Sequence, residues 1–93
     1  PDRVFLNQNR PNPFSQMTLV EYGVPQNMHV SIAVYNAAGQ RVKTLVDEVK
    51  TPGYYAIGWQ GTDDLGRRLA EGVYFMRIIT DELKDTKKII HVR

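Results

Sequence analysis

The chain has 93 residues, which is enough for one domain with one core. Hydrophobic residues make up 42% and charged residues 24%, close to soluble globular averages, which argues against a disordered tail or a collagen-like chain. No apolar run approaches the roughly 18 residues of a membrane-spanning helix, and a net charge of +2 is too small for a nucleic-acid-binding surface. The lack of cysteine excludes a disulfide framework, a thiolate zinc site and a cysteine nucleophile.

An alternation of apolar and polar residues with a period of two predicts short β-strands along most of the chain. In chain order the predicted strands are 18–24, 29–35, 41–50, 54–59, 73–80 and 87–93. Turn signals separate them, including Gly39, which is placed for a positive φ, Pro52-Gly53, and a charged hairpin loop over 81–85. Six or seven short strands with this spacing predict an all-β fold, a small antiparallel β-sandwich.

The segment 41–50 is the one stretch that also fits a helix, because four apolar residues recur there at helical spacing. It contains three valines and a threonine, and no N-cap residue precedes it. Since β-branched residues favour strands, we predict a strand.

The pattern also predicts which side chains face the core. In 73–80 the outward Arg77 turns Tyr74 inward, and in 54–59 Trp59 faces inward opposite the small Ala56 and Gly58. Phe14 and Tyr22 complete the predicted core of Phe14, Tyr22, Trp59 and Tyr74. In the last strand we predict Ile90 and Val92 inward, with Lys87, Ile89 and His91 outward.

Three stretches carry a resemblance to a known family. They are Asn9-Arg10-Pro11-Asn12-Pro13-Phe14; Val34-Tyr35-Asn36 with Gly39; and Gly53-Tyr54-Tyr55 through Trp59 and Asp63-Asp64 to Gly66, followed by Gly72-Val73-Tyr74 and a lysine-rich end. In this order they resemble the Ig-like domain first described in the flagellar hook-capping protein, and within that family the C-terminal sorting domain (type A) of the type IX secretion system. The sequence departs from the family at Gln60, where the usual residue is Asp.

The resemblance implies an Ig-like or fibronectin type III-like sandwich of about seven strands. It also implies a non-catalytic C-terminal domain that directs export of its parent through the type IX system, in contact with translocon or shuttle proteins and a sortase. We therefore expect residues 1–93 to be one domain excised from a larger secreted precursor, monomeric and destined for secretion or the cell surface after transit through the periplasm. The alternative is a structural or adhesive Ig-like spacer or assembly module of a surface protein.

Two segments are candidates for partner binding. Pro11-Asn12-Pro13 is rigid, because two prolines fix φ and restrain their predecessors, and it predicts either a lid on the sandwich or a recognition element. In the last ten residues Lys84, Lys87, Lys88 and Arg93 outweigh Asp85, giving a local charge of +3. These bases, of which Lys87, Lys88 and Arg93 are the candidate contacts, predict a protected strand edge, a docking signal, or both.

Other chemistry finds little support in the sequence. Trp59 with Tyr54 would suit carbohydrate binding only if Trp59 were exposed, and a core position is favoured. Asp63 and Asp64 are too few for calcium, which takes six to eight oxygens, so we expect them to cap their own loop's backbone amides. Because neither serine lies in a nucleophile-elbow context, and both histidines are predicted outward on different strands, we expect no enzyme activity, no metal and no cofactor.

Overall fold

The computed structural model describes all residues, 1–93, and contains seven β-strands. They are β1 (Phe5–Leu6), β2 (Thr18–Val24), β3 (Met28–Asn36), β4 (Arg41–Lys50), β5 (Gly53–Trp59), β6 (Gly72–Ile79) and β7 (Lys84–His91). The structure contains no helix of the length and apolar character needed to cross a membrane.

The strands form two antiparallel sheets that pack into a sandwich of 37 × 22 × 19 Å. The smaller sheet has the order β1-β2-β5 and the larger sheet the order β4-β3-β6-β7. This arrangement confirms the predicted all-β, Ig-like sandwich of about seven strands. The edges of the sheets are therefore β1, β5, β4 and β7.

The core lies between the sheets and follows the predicted alternation. In β2 the side chains of Val20, Tyr22 and Val24 are buried, and in β6 those of Met76 and Ile78 are buried while Arg77 points to solvent. Sixteen buried hydrophobic residues form one cluster. Phe14, Tyr22, Trp59 and Tyr74 all belong to it, with Trp59 only 1% exposed.

β4 is a strand over the full predicted range, Arg41–Lys50, and its helical spacing of apolar residues plays no part. It pairs with β3 with register shifts between Ile32 and Ala33 and between Val34 and Tyr35. Those irregularities break the period of two, which explains why the strand's apolar residues mimic a helical stripe.

Two features of the C-terminal hairpin differ from the prediction. The turn is shorter than 81–85, because Thr80 already bonds Leu83 (N to O, 2.8 Å) and β7 begins at Lys84. The facing of β7 is reversed: Ile89 is fully buried and His91 is 3% exposed, whereas Val92 is 36% exposed and lies beyond the strand. The pairing with β6 sets this facing, since Ile89 lies opposite the inward Tyr74.

Candidate functional site: the terminal seam

The two candidate recognition segments, 78 residues apart from Asn12 to Ile90, lie side by side in the structure. Phe14 forms a parallel bridge with His91, and the segment before it runs along the outer edge of β7. We call this surface the terminal seam and define it as residues 9–14 together with residues 87–93. It brings the exposed Pro11, Asn12 and Pro13 beside the strand that carries Lys87 and Lys88 and ends shortly before Arg93.

Asn12 and Phe14 make the hydrogen bonds that close the seam. The Ile90 N–H donates to Asn12 Oδ1 (2.8 Å), and Asn12 Nδ2 donates to the Lys88 carbonyl (3.2 Å). The Phe14 N–H donates to the Ile90 carbonyl (2.9 Å), and the Val92 N–H donates to the Phe14 carbonyl (2.8 Å). Residues 12–14 thus act as a short additional strand that satisfies the edge of β7 from Lys88 to Val92.

A buried asparagine fixes the shape of the segment. Asn9 is 1% exposed, and its Nδ2 donates to Thr18 Oγ1 (2.9 Å) and to the Pro11 carbonyl (3.1 Å). The Thr18 hydroxyl donates to the same carbonyl (2.8 Å). Both Pro11 and Pro13 follow cis peptide bonds. Because the Asn9 amide is satisfied inside the core, the turn is held from within while its prolines stay exposed.

An aromatic cluster anchors the seam from below. The Phe14 ring lies 5.4 Å from the Trp59 ring and stacks on the His91 ring at 4.9 Å, while Trp59 meets Tyr74 edge-on at 5.5 Å. Trp59 Nε1 donates to the Thr62 carbonyl (2.9 Å) and the Tyr74 hydroxyl to the Ala70 carbonyl (2.6 Å). Burial raises the pKa of the Tyr74 hydroxyl, which stays a neutral donor.

His91 is one of the seam residues for which the sequence pattern predicted the wrong face. Its ring Nδ1 lies 3.4 Å from the Ala70 carbonyl, and the buried Nε2 has no hydrogen-bond partner. A side chain at Gly61 would sit 2.8 Å from that Nε2, so the histidine fills space that only a glycine at 61 leaves open. Its stacking on Phe14 gives His91 a structural role in joining the two segments.

The three basic residues do not share one face. Lys87 lies on the inner side of β7, 30% exposed, with its Nζ 3.4 Å from Asp85 Oδ2. Lys88 points outward and takes part in no salt bridge, and Arg93, 93% exposed, lies 3.5 Å from Glu71. Lys88 and Arg93 are therefore open to a partner, whereas Lys87 is only partly exposed.

The acidic loop after β5 serves the fold. Asp63 accepts hydrogen bonds from the N–H groups of Arg67 (2.9 Å) and Leu65 (3.0 Å) and from Arg67 Nε (2.8 Å). Asp64 accepts from the Thr44 N–H (3.0 Å) and so ties the loop to β4. Asp63 caps the loop's own amides as expected, whereas Asp64 bonds an amide of β4, outside the loop. No group of three or more metal-ligating side chains surrounds them.

The Asp63 bonds predict a pH-dependent contribution to stability. Hydrogen bonds from the Arg67 and Leu65 amides hold the pKa of Asp63 below its ordinary value of 3.8. A lowered folded-state pKa stabilises the fold above 3.8, and the contribution is lost as pH falls through the folded-state value. We expect Asp63→Asn to melt at a lower temperature than the wild type at neutral pH, with the two melting curves converging in acid. A gap that widened in acid would contradict this origin of the effect.

The family profile described as the FlgD Ig-like domain matches residues 14–82, about three quarters of the sequence. The terminal seam, apart from Phe14, lies outside the matched range. Against curated proteins the sequence finds no significant match.

Two solved structures from Porphyromonas gingivalis resemble the fold. Dimeric latent PorU superimposes with a TM-score of 0.69 at 16% sequence identity over 96% of this chain. PorZ, an essential surface component of the type IX secretion system, superimposes with a TM-score of 0.62 at 18% sequence identity over 99% of this chain. The chain spans only 9% of the length of PorU and 12% of that of PorZ. At these identities the likeness shows a shared fold.

Proposed function

Because the chain belongs to the FlgD Ig-like domain family, we propose that it is a non-catalytic sorting domain that directs export of its parent protein through a type IX secretion system. Its contacts would be translocon or shuttle proteins and a sortase, and its parent would be secreted or held at the cell surface. The terminal seam is the observation that carries this proposal. A folded module can be recognised only by its surface, and the seam is a composite surface that exists only when the domain is folded.

Three features of the seam suit recognition. Its prolines are exposed and are held by the buried Asn9, so the surface is already ordered before a partner binds. Lys88 carries a positive charge without a salt-bridge partner. The seam also lies outside the part of the chain that matches the family profile, apart from Phe14, so it is where this domain can differ from other Ig-like modules.

The shared fold of PorZ, a surface component of the type IX system, supports the same system. The positions of the two histidines in the structure support a non-catalytic role. His29 pairs with Asp47 on an exposed face (2.8 Å), and His91 is packed against Phe14. His29 lines no cleft and the His91 ring is buried, so neither is placed to act on a bound substrate.

A second candidate is a retained structural or adhesive module. It is favoured by the two structural neighbours, in which a fold like this one is a small part of a much longer chain. The order of domains in the full precursor discriminates the two. Further domains after Arg93 support a spacer and count against a C-terminal signal.

The proposal is tested by export of a reporter fused in front of the domain in a host with a type IX system. The test variant replaces Lys87, Lys88 and Arg93 with glutamine. We expect folding to stay nearly intact, because glutamine keeps most of the aliphatic stem of the partly buried Lys87 and the ion pairs lost are partly or fully exposed. We expect the wild-type fusion to reach the medium or surface and the variant to stay in the periplasm.

A matched control removes the same charge elsewhere, with Arg3, Arg41 and Lys43 replaced by glutamine, and should be exported like the wild type. Asn12→Ala separates charge from shape, because it removes two bonds that close the seam. Normal export of the well-folded triple variant would remove these charges from the signal. Retention of the wild-type fusion, in a host shown to accept foreign signals, would contradict the sorting role itself.

A further inference from the structure

The four sheet edges of the sandwich are protected unequally. β1 has only two residues, and residues 12–14 cover the end of β7. The edge of β4 is capped by Asp64, whose N–H donates to the Val42 carbonyl (3.0 Å) and whose Oδ1 accepts from the Thr44 N–H (3.0 Å). No loop or side chain forms a comparable cap on β5.

β5 also lacks the sequence features that discourage edge pairing. Its residues, Gly53–Trp59, include no charged residue and no proline. It pairs with β2 over seven consecutive positions without a bulge. A regular, uncharged edge strand of this length is a template for pairing with another strand.

The backbone groups that face this open edge follow from the pairing of β2. Leu19 exchanges both of its backbone bonds with Arg10 (2.9 and 2.8 Å), on the side of β2 away from β5. Because bonding alternates along an antiparallel pair, Leu19 and Gly58 are a non-hydrogen-bonded pair. The N–H and C=O groups of Tyr54, Ala56 and Gly58 therefore point away from β2, to the open edge.

We propose that β5 pairs with β5 of a second copy of this chain, antiparallel and centred on Ala56. In this register Ala56 lies opposite Ala56, and Tyr54 lies opposite Gly58 in both directions. All six outward backbone groups of each copy are then paired, which makes six hydrogen bonds across the two-fold axis. A shift by two residues along the strand would leave some of these groups without a partner.

The side chains on the outer face fit the same register. Tyr54 is 74% exposed and would lie over Gly58 of the second copy. Next to the Cβ position of Gly58 are Leu19 Cδ2 and Met17 Sδ, each at 3.5 Å, and both residues are 47% exposed. The tyrosine ring thus covers apolar surface that is open in the single chain, beside a glycine that leaves room for it.

Charge also favours a second copy of the chain as the occupant. Two copies of β5 bring no like charges together, because the strand carries none. The nearby charged groups are already paired within one copy: Glu21, opposite Ala56 on β2, with Arg10 (3.2 Å), and Lys50, above the Tyr55 ring, with Glu48 (2.7 Å). An edge contact of one short strand is at the low end of specific interfaces, below about 1,200 Å². We therefore expect a weak dimer, a departure from the monomer predicted from the sequence.

Analytical ultracentrifugation of the 93-residue chain over a wide range of concentration tests the proposal. We expect a reversible monomer–dimer equilibrium for the wild type. The Ala56→Lys variant should lose the dimer, because the substitution places two lysines opposite each other across the two-fold axis. Ala56 is exposed, so the variant should fold, as circular dichroism will verify. Val49→Lys is the matched control, since Val49 is 66% exposed on β4, and it should dimerise like the wild type.

Amide hydrogen exchange by NMR gives the register independently of any variant. As concentration rises, the amides of Tyr54, Ala56 and Gly58 should gain protection, while those of Tyr55 and Ile57, already bonded to β2, should not change. A chain that stays monomeric at the highest concentration would overturn the proposal. So would a dimer that persists in Ala56→Lys, or one that protects amides of another edge in place of these three.

Discussion

Replacing Trp59 with alanine should remove a large part of the stability of the domain. The side chain is 1% exposed, contacts the rings of Phe14 and Tyr74, and donates to the Thr62 carbonyl. Truncation of a buried tryptophan costs about 3–5 kcal/mol, against a total free energy of unfolding of about 5–15 kcal/mol for a typical domain. Because the ring also supports Phe14, the loss should loosen the seam. Chemical denaturation followed by far-UV circular dichroism measures the change.

Tyr54→Ala is the control on the same strand, since its ring is 74% exposed, and should shift the denaturation midpoint little at low protein concentration. Trp59 is the only tryptophan, so its fluorescence reports on this one site. We expect blue-shifted native emission that a soluble quencher does not reach. A red-shifted, readily quenched native emission would contradict the core position and restore the carbohydrate-platform interpretation.

The architecture and most of the core could be predicted from the sequence because they depend on local alternation. The inward facing of Tyr74 follows from the charge on Arg77, and that of Trp59 from the small residues beside it. The positive φ of Gly39 was also predictable from local sequence, because the residue lies in a tight turn. Its φ is +84°, which few other residues tolerate.

The terminal seam could not be predicted from local pattern, because it joins residues far apart in the chain. Nothing near Asn12 in the sequence indicates that its side-chain amide bonds the Ile90 N–H and the Lys88 carbonyl. Asn9 was visible only as part of a motif, although its buried amide holds the turn. Gly61 is the one residue in the sequence that agrees with an inward His91, because its lack of a side chain makes room for the ring.

The error in β7 has a specific cause. Ile89 and Ile90 are identical neighbours, so hydrophobicity cannot say which one is buried. The prediction placed Lys87 and Ile89 together on the outer face, which kept the lysine out of the core. In the structure Lys87 does share the inner face with Ile89, but β7 is an edge strand, so the lysine pairs with Asp85 and its charge remains partly exposed.

That reversal gives the second large expected effect, a difference between two adjacent isoleucines. Ile89 is fully buried opposite Tyr74, so Ile89→Ala should lower the free energy of unfolding by about 2–5 kcal/mol. Ile90 is only partly buried on the outer face, and its backbone, which bonds Asn12 and Phe14, is unchanged by substitution. Ile90→Ala should therefore cost clearly less, and both are measured by denaturation under identical conditions.

The pair is its own control, because the same atoms are removed from neighbouring positions of one strand. An equal loss, or a larger one at Ile90, would mean that β7 faces as the sequence pattern suggested and that the seam is built differently. The result also decides how the export test is interpreted. With Ile89 inward, Lys88 and Ile90 form the outer surface of β7 beside Asn12. A partner that binds this strand therefore contacts residues 12–14 and Lys88 together.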